Sequence, residues 1–171
     1  MNLSFQLYSM IGVLRLLLKD LEPPFDGLWI DELMDHRDDL MKDSIMATHI
    51  AALQKIILEE LQLHNRFSAD DVIHAFGVLR INSFGIETPE GGQGRGLFPL
   101  LALMSHSCQS NLQHEQSKSS SEMILTAQRT IEAGEELTIR YIDTIQGNFI
   151  QVCIMCKLWD IYLPFRIICI Q

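Results

Sequence analysis

The sequence predicts an α+β fold, a helical first half followed by a half of short strands and loops. Three observations carry this. Apolar residues recur at helical spacing in three separate stretches before residue 80, the signature of amphipathic helices. Helix-capping residues stand before the second and third of these stretches. After Arg80 the pattern changes to short apolar runs broken by glycine, serine and proline, as expected of strands and turns.

In order along the chain, Leu7, Met10, Leu14 and Leu18 form the first stripe, and Pro23-Pro24 ends that segment. Met46, Ile50, Leu53, Ile57 and Leu61 form a longer stripe with Lys55, Glu59 and Glu60 off it. Asp43 or Ser44 can cap its start. Ser68 with Asp71 reads as a capping box for a third helix that buries Val72, Phe76 and Leu79. The run from Glu87 to Gly96 is read as a connecting loop. Its glycines do not make a phosphate loop, since no Gly-Lys-Ser/Thr is present and Pro89 interrupts it. Leu97 to Met104 is a short apolar run. Met123 to Gln128 and Leu137 to Tyr141 read as strands, with a turn at Ala133-Gly134 between them, and Ser117 to Ser121 reads as a hairpin loop.

The chain of 171 residues is long enough for one domain with a buried core, and 47% of it is apolar. Mean hydropathy is +0.12. With 22 acidic and 13 basic side chains the net charge is −9. That balance argues against direct nucleic-acid binding, which needs a basic face, and is compatible with a basic protein or peptide partner. All four cysteines, Cys108, Cys153, Cys156 and Cys169, follow residue 107, so no disulfide framework pins the first half. An intracellular compartment, nucleus or cytoplasm, is expected. Arg15 interrupts the apolar N-terminal stretch, and Lys157, Asp160, Pro164 and Arg166 interrupt the C-terminal one. Neither reads as a signal peptide or a membrane span.

Two segments carry chemistry: Met104-Ser105-His106-Ser107-Cys108-Gln109-Ser110-Asn111 and, further on, Gly134-Glu135-Glu136-Leu137-Thr138-Ile139-Arg140-Tyr141. A cysteine near a histidine admits a thiol nucleophile, but spacing alone does not bring His106 and Cys108 together. The Cys153-Ile154-Met155-Cys156 pair, with Cys108 and Cys169, admits a four-thiolate zinc site.

In this order the two segments resemble the signature motifs of a SET domain, the fold of most protein-lysine methyltransferases. Asn82-Ser83-Phe84-Gly85-Ile86 and Gly96-Leu97-Phe98-Pro99 look like the segments that precede the first motif in the SET-and-MYND (SMYD) group. Met34-Asp35-His36-Arg37 and Met104-Ser105-His106 are most similar to its arthropod SmydA branch. The resemblance spans about residues 5 to 146. It implies a partial SET core with residues 1–80 as a helical insertion, 81–146 as the C-terminal half of the SET domain, and 147–171 as an apolar tail foreign to the family. It further implies S-adenosylmethionine as cofactor, held by Asn82, Ser105 and His106, the last largely through its backbone. Phe84 would line the channel for a substrate lysine, and Tyr141 would be the catalytic tyrosine. The substrate would be a lysine-bearing protein or peptide, histone tails among them.

The chemistry suits those residue types. Methyl transfer needs a neutral lysine amine, and free lysine has a pKa of about 10.4. A desolvated channel beside a sulfonium lowers it, an aromatic wall attracts an ammonium group, and alignment supplies the remainder.

The sequence departs from the pattern in places. Ser105 replaces the usual Asn and Ser110 the usual Pro. No cysteine precedes Cys108 to build a MYND module, and the family's Cys-x-Cys-x-x-Cys cluster after the tyrosine motif has no counterpart of that form. In the family Cys108 would join that cluster on zinc. The chain is therefore expected to be shortened at both ends, with its tail the product of an alternative or misread exon. A catalytically silent SET-fold interaction protein and a small zinc-binding adaptor remain the rival readings.

Overall fold

A computed structural model describes residues 3–18, 32–88, 91–117 and 122–141. The Pro23-Pro24 stop, the tail 147–171 and Cys153, Cys156 and Cys169 lie outside these residues. The chain divides into two compact units, Met1–Gly85 with Gly94–Ala102, and Ile86–Gln93 with Leu103–Gln171.

The first unit is helical: α1 (Leu3–Leu18), α2 (Arg37–Lys42), α3 (Ser44–Gln54) and α4 (Ala69–Asn82). Its core joins Val13, Leu40, Ile50, Leu53, Ile57, Val72, Ala75 and Phe76. The Asp43 carboxylate accepts the amides of Ile45 and Met46 at 2.8 and 3.2 Å, capping α3. Ser68 and Asp71 close the expected box on α4, with Asp71 N–H donating to Ser68 Oγ at 3.1 Å and Ser68 N–H to Asp71 Oδ2 at 2.7 Å.

The stripes need three corrections. Among the described side chains of α1 the fully buried one is Val13, while Leu18 is exposed. After Gln54 the helix widens into a π-helical turn, Lys55–Glu60, and Leu61 N–H bonds back to Ile56 O at 2.9 Å. The extra residue per turn rotates the stripe beyond Ile57, so Leu61 faces solvent although its spacing matches the core. The short α2, with Leu40 buried, was not anticipated, since six residues give too few turns for periodicity to show.

The segment before α2 is seated on α4 by chemistry. Asp35 Oδ2 accepts from Arg37 at 2.7 and 2.9 Å and lies 2.8 Å from His74 Nδ1. Desolvation pushes the Asp35 carboxyl up, but the hydrogen bonds from Arg37 and His74 together outweigh it and hold it at about 2. Gly77 allows the close approach: a Cβ there would stand 2.3 Å from Asp35 O. His36 takes a left-handed conformation, φ 48°, at the start of α2.

Beyond α4 the chain makes a two-stranded sheet from β1 (Ser83–Glu87) and β2 (Gln93–Leu97). The run from Glu87 to Gly96 is thus not wholly a loop. Gln93 to Leu97 is too glycine-rich to show strand alternation, and its pairing depends on β1. The tip is closed by Thr88 N–H to Gly92 O at 2.8 Å and Gly91 N–H to Thr88 O at 2.9 Å. A short helix, α5 (Pro99–Ala102), follows.

In the second unit β4 (Leu112–Gln116) and β5 (Met123–Ala127) form an antiparallel hairpin in the register Leu112↔Ala127 to Gln116↔Met123. β3 (Ser105–His106) runs parallel to β6 (Thr138–Ile139), pairing Ser105 with Thr138 and His106 with Ile139. The expected strand Leu137 to Tyr141 is reduced to these two residues because β3 offers only two to pair with. No helix among the described residues is long and apolar enough to cross a membrane.

Candidate functional site

The two signature segments meet through backbone and side chain. β3 lies in the first and β6 in the second, so their parallel pairing brings residues 105–106 beside 138–139. Ser107 N–H extends the ladder to Ile139 O at 3.0 Å.

Asn111 locks this arrangement. It is 2% exposed. Its Oδ1 accepts Thr138 N–H at 2.8 Å, and its Nδ2 donates to Glu136 O at 2.8 Å and to Glu135 Oε1 at 3.1 Å. Its own N–H donates to Thr138 Oγ1 at 3.2 Å and its carbonyl accepts Gln128 N–H at 2.9 Å. Every polar group of this buried side chain is therefore used, as burial requires. Glu135 is held in turn by the Arg129 guanidinium, and its Oε2 accepts Glu132 N–H at 3.1 Å across the turn at Gly134, φ 86°. The Arg129 hydrogen bond, then those of the Glu132 amide and Asn111, hold the Glu135 carboxyl at about 2. Glu135 thus serves the loop rather than acting as a base.

His106 and Tyr141 stand together at the end of this paired segment. Their ring centroids are 5.4 Å apart at 53°. Tyr141 N–H donates to His106 Nδ1 at 3.0 Å. The Tyr141 hydroxyl donates to Met104 O, and loss of water around it raises its pKa. Burial, and then the Arg140 charge, lowers the pKa of His106. Cys108 Sγ lies 3.4 Å from His106 Nε2, a contact that spacing did not predict. Tyr141 itself is 48% exposed. Ser105, also exposed, donates its hydroxyl to Glu136 Oε1 at 2.5 Å.

The structure therefore brings His106, Cys108 and Tyr141 into one cluster in the second unit, while Ser105, next to His106 on β3, is bonded to Glu136 instead. Asn82 and Phe84 belong to the first unit. Asn82 ends α4 and spends both amide hydrogens on Met34 O and Val78 O, at 2.8 and 3.0 Å. Phe84, on β1, is half-buried and packs edge-on against Phe98, centroids 6.3 Å apart. Among the described residues no group of three His, Cys, Asp or Glu side chains can hold a metal ion. The three cysteines that would join Cys108 on zinc lie outside them. The functional residues missed from sequence are Asn111 and Arg129, which act with Glu135. The signal was present in the adjoining motif positions, but nothing in spacing says that an Asn of one motif satisfies the backbone of the other.

Residues 26–142 match the family model of the SET domain. The chain is 37% identical to the mouse histone-lysine N-methyltransferase SMYD3 over 97 residues, 56% of this chain and 22% of that protein. It is 32% identical to human SMYD3 over 121 residues, 70% of this chain and 27% of the relative. It is 30% identical to the SET domain-containing protein SmydA-8, isoform A, of Drosophila melanogaster over 115 residues, 62% and 25%. The chain thus spans about a quarter of the length of the curated relatives it matches. Its paired motifs, the match over residues 26–142 and these relatives together place the chain in the SET-domain family, in its SET-and-MYND group.

Proposed function

We propose that this chain is a protein-lysine N-methyltransferase that uses S-adenosylmethionine, with Tyr141 as the catalytic tyrosine. The observation that carries the reading is the Tyr141–His106 pairing at the end of the β3–β6 ladder, which joins the two SET motifs at one point. The residues present fit a cationic cofactor. The Ser105 hydroxyl with the Glu136 carboxylate, and Asn82 Oδ1, are acceptors suited to an ammonium group. Ser105, His106 and Asn82 would hold the cofactor, which when bound supplies an electrophilic methyl group beside a positive sulfonium. Phe84 would line the lysine channel, where an aromatic face attracts an ammonium. Tyr141 is protonated at neutral pH as any ordinary phenol is, and loss of water around it raises its pKa further. Its hydroxyl is then a dipole that orients the amine rather than a base that takes its proton, and the rate rests on alignment. Cys108 would be the first motif's zinc ligand if the family's cluster forms. The substrate would be a basic segment of a protein, histone tails included, which the net charge of −9 attracts, and the place of action would be the nucleus or cytoplasm.

The test is transfer of tritiated methyl from S-adenosylmethionine to core histones by the 171-residue chain, alongside calorimetric titration with S-adenosylhomocysteine. Transfer that falls roughly 100-fold in Tyr141→Phe, with cofactor binding retained, is expected, the size typical of losing one preorganised polar group. Binding without transfer would mark a silent interaction module. Transfer that ignores Tyr141→Phe would refute the assignment.

A further inference from the structure

We infer that the imidazole of His106 is the positioning residue for Tyr141, a role beyond the backbone contact with cofactor that the motif implies. The ring is engaged at both of its nitrogens. Nδ1 accepts the Tyr141 N–H at 3.0 Å, and Nε2 faces Cys108 Sγ at 3.4 Å. An Nδ1 that accepts carries no proton, so in the neutral ring the proton sits on Nε2, directed at the sulfur. The Cys108 carbonyl accepts from Arg140 at 2.9 Å, which ties the turn holding the sulfur to the residue before Tyr141. The ring face lies against Tyr141, centroids 5.4 Å apart. Tyr141 follows the last paired residues of β6, so no ladder bond holds its N–H. The His106 side chain supplies the acceptor that the ladder lacks. Its hydroxyl is then fixed at the other end by Met104 O. Two points, one on the backbone and one at the tip of the side chain, set the direction of the phenol.

The rate consequence rests on the methyltransferase proposal, but the positioning itself does not, and the experiment reads the two separately. The full chain is labelled with 3-fluorotyrosine, and the Tyr141 fluorine resonance is identified by its loss in Tyr141→Phe. Asparagine places Oδ1 where Nδ1 stood, whereas glutamine places its amide near Nε2. The resonance is expected to move toward that of free 3-fluorotyrosine in His106→Ala and His106→Gln, and to return close to its wild-type position in His106→Asn. A cooperative thermal melt followed by circular dichroism reports whether each variant still folds. Where the alanine variant does not fold, the Gln–Asn contrast decides alone, and two unfolded variants beside a folded His106→Asn count for the acceptor. An unmoved Tyr141 resonance in folded His106→Gln, or no recovery in His106→Asn, overturns the inference. In the transfer assay, His106→Gln is expected to lower kcat roughly 10- to 100-fold with KM little changed, as for a reacting group displaced by about 1 Å, and His106→Asn to restore most of it. Absence of transfer in the wild-type chain would count against the enzyme reading while leaving the fluorine result to judge the positioning.

Discussion

Replacing Asn111 with alanine isolates the bond network that joins the two motifs. The side chain is 2% exposed, while of the partners it leaves behind Thr138 is half-buried and Glu136 exposed. Thr138 N–H loses its acceptor at 2.8 Å and Glu136 O loses a donor at 2.8 Å. Each buried backbone group left unsatisfied costs about 1–3 kcal/mol. The third contact, to Glu135 Oε1, adds little because Arg129 continues to hold that carboxylate. Full burial of both would give about 2–6 kcal/mol, and because Thr138 is half-buried and Glu136 exposed the lower part applies, a loss of about 2–4 kcal/mol. The assay is native-state amide exchange at Thr138 and at Ser107, whose N–H bonds Ile139 O at 3.0 Å, alongside urea unfolding at neutral pH. Exchange at both sites is expected to quicken roughly 30- to 1,000-fold, since 1.4 kcal/mol is tenfold. Asn111→Asp is the sharper control. It keeps the Oδ1 acceptor but places a carboxylate against the Glu136 carbonyl and the Glu135 carboxylate. It should be at least as damaging as alanine near pH 7 and recover as pH falls and the introduced carboxyl protonates. A loss below about 1 kcal/mol in Asn111→Ala, at unchanged urea dependence, would refute the claim that these bonds hold the motifs together.

Further outcomes follow from other sites. Gly77→Ala should destabilise the first unit by about 1–2 kcal/mol in a thermal melt, because the clash with Asp35 O outweighs the helix propensity that alanine gains; a stabilised variant would show that the seat is not tight. Glu135 has a folded-state pKa of about 2 against an ordinary 4.5, so its contribution is complete above pH 4.5 and disappears as pH falls toward 2. Glu135→Gln should flatten that part of a stability–pH profile, and an unchanged acid limb in the variant would count against the Arg129–Glu135–Asn111 network. Ser68→Ala removes a cap whose hydroxyl accepts Asp71 N–H at 3.1 Å and should cost about 1 kcal/mol, read as a lower denaturation midpoint for the first unit.

Much of the helical half was legible because helices are written locally. The Ser68–Asp71 box and the Asp43 cap each involve residues within one turn, and both form as read. The turn at Gly134 was legible for the same reason. The stripe failed at Leu61, where a π-helical turn changes the period, and at Leu18. Strand β2 was hidden because glycines carry no side-chain alternation. Of the candidate residues, Ser105, His106, Cys108 and Tyr141 were picked out from motif order, but the contact between His106 and Cys108 was not readable from their separation.

By itself, the sequence determined the family, the α+β class and the capped starts of α3 and α4, since these depend on residue type and short-range spacing. Only the tertiary structure decided that His106 accepts the Tyr141 amide, that Asn111 satisfies the backbone of the second motif, and that Gly77 must lack a Cβ. Those are contacts between residues far apart in the chain: the first two satisfy backbone N–H groups that folding takes from water, and the third is a close approach that leaves no room for a side-chain carbon.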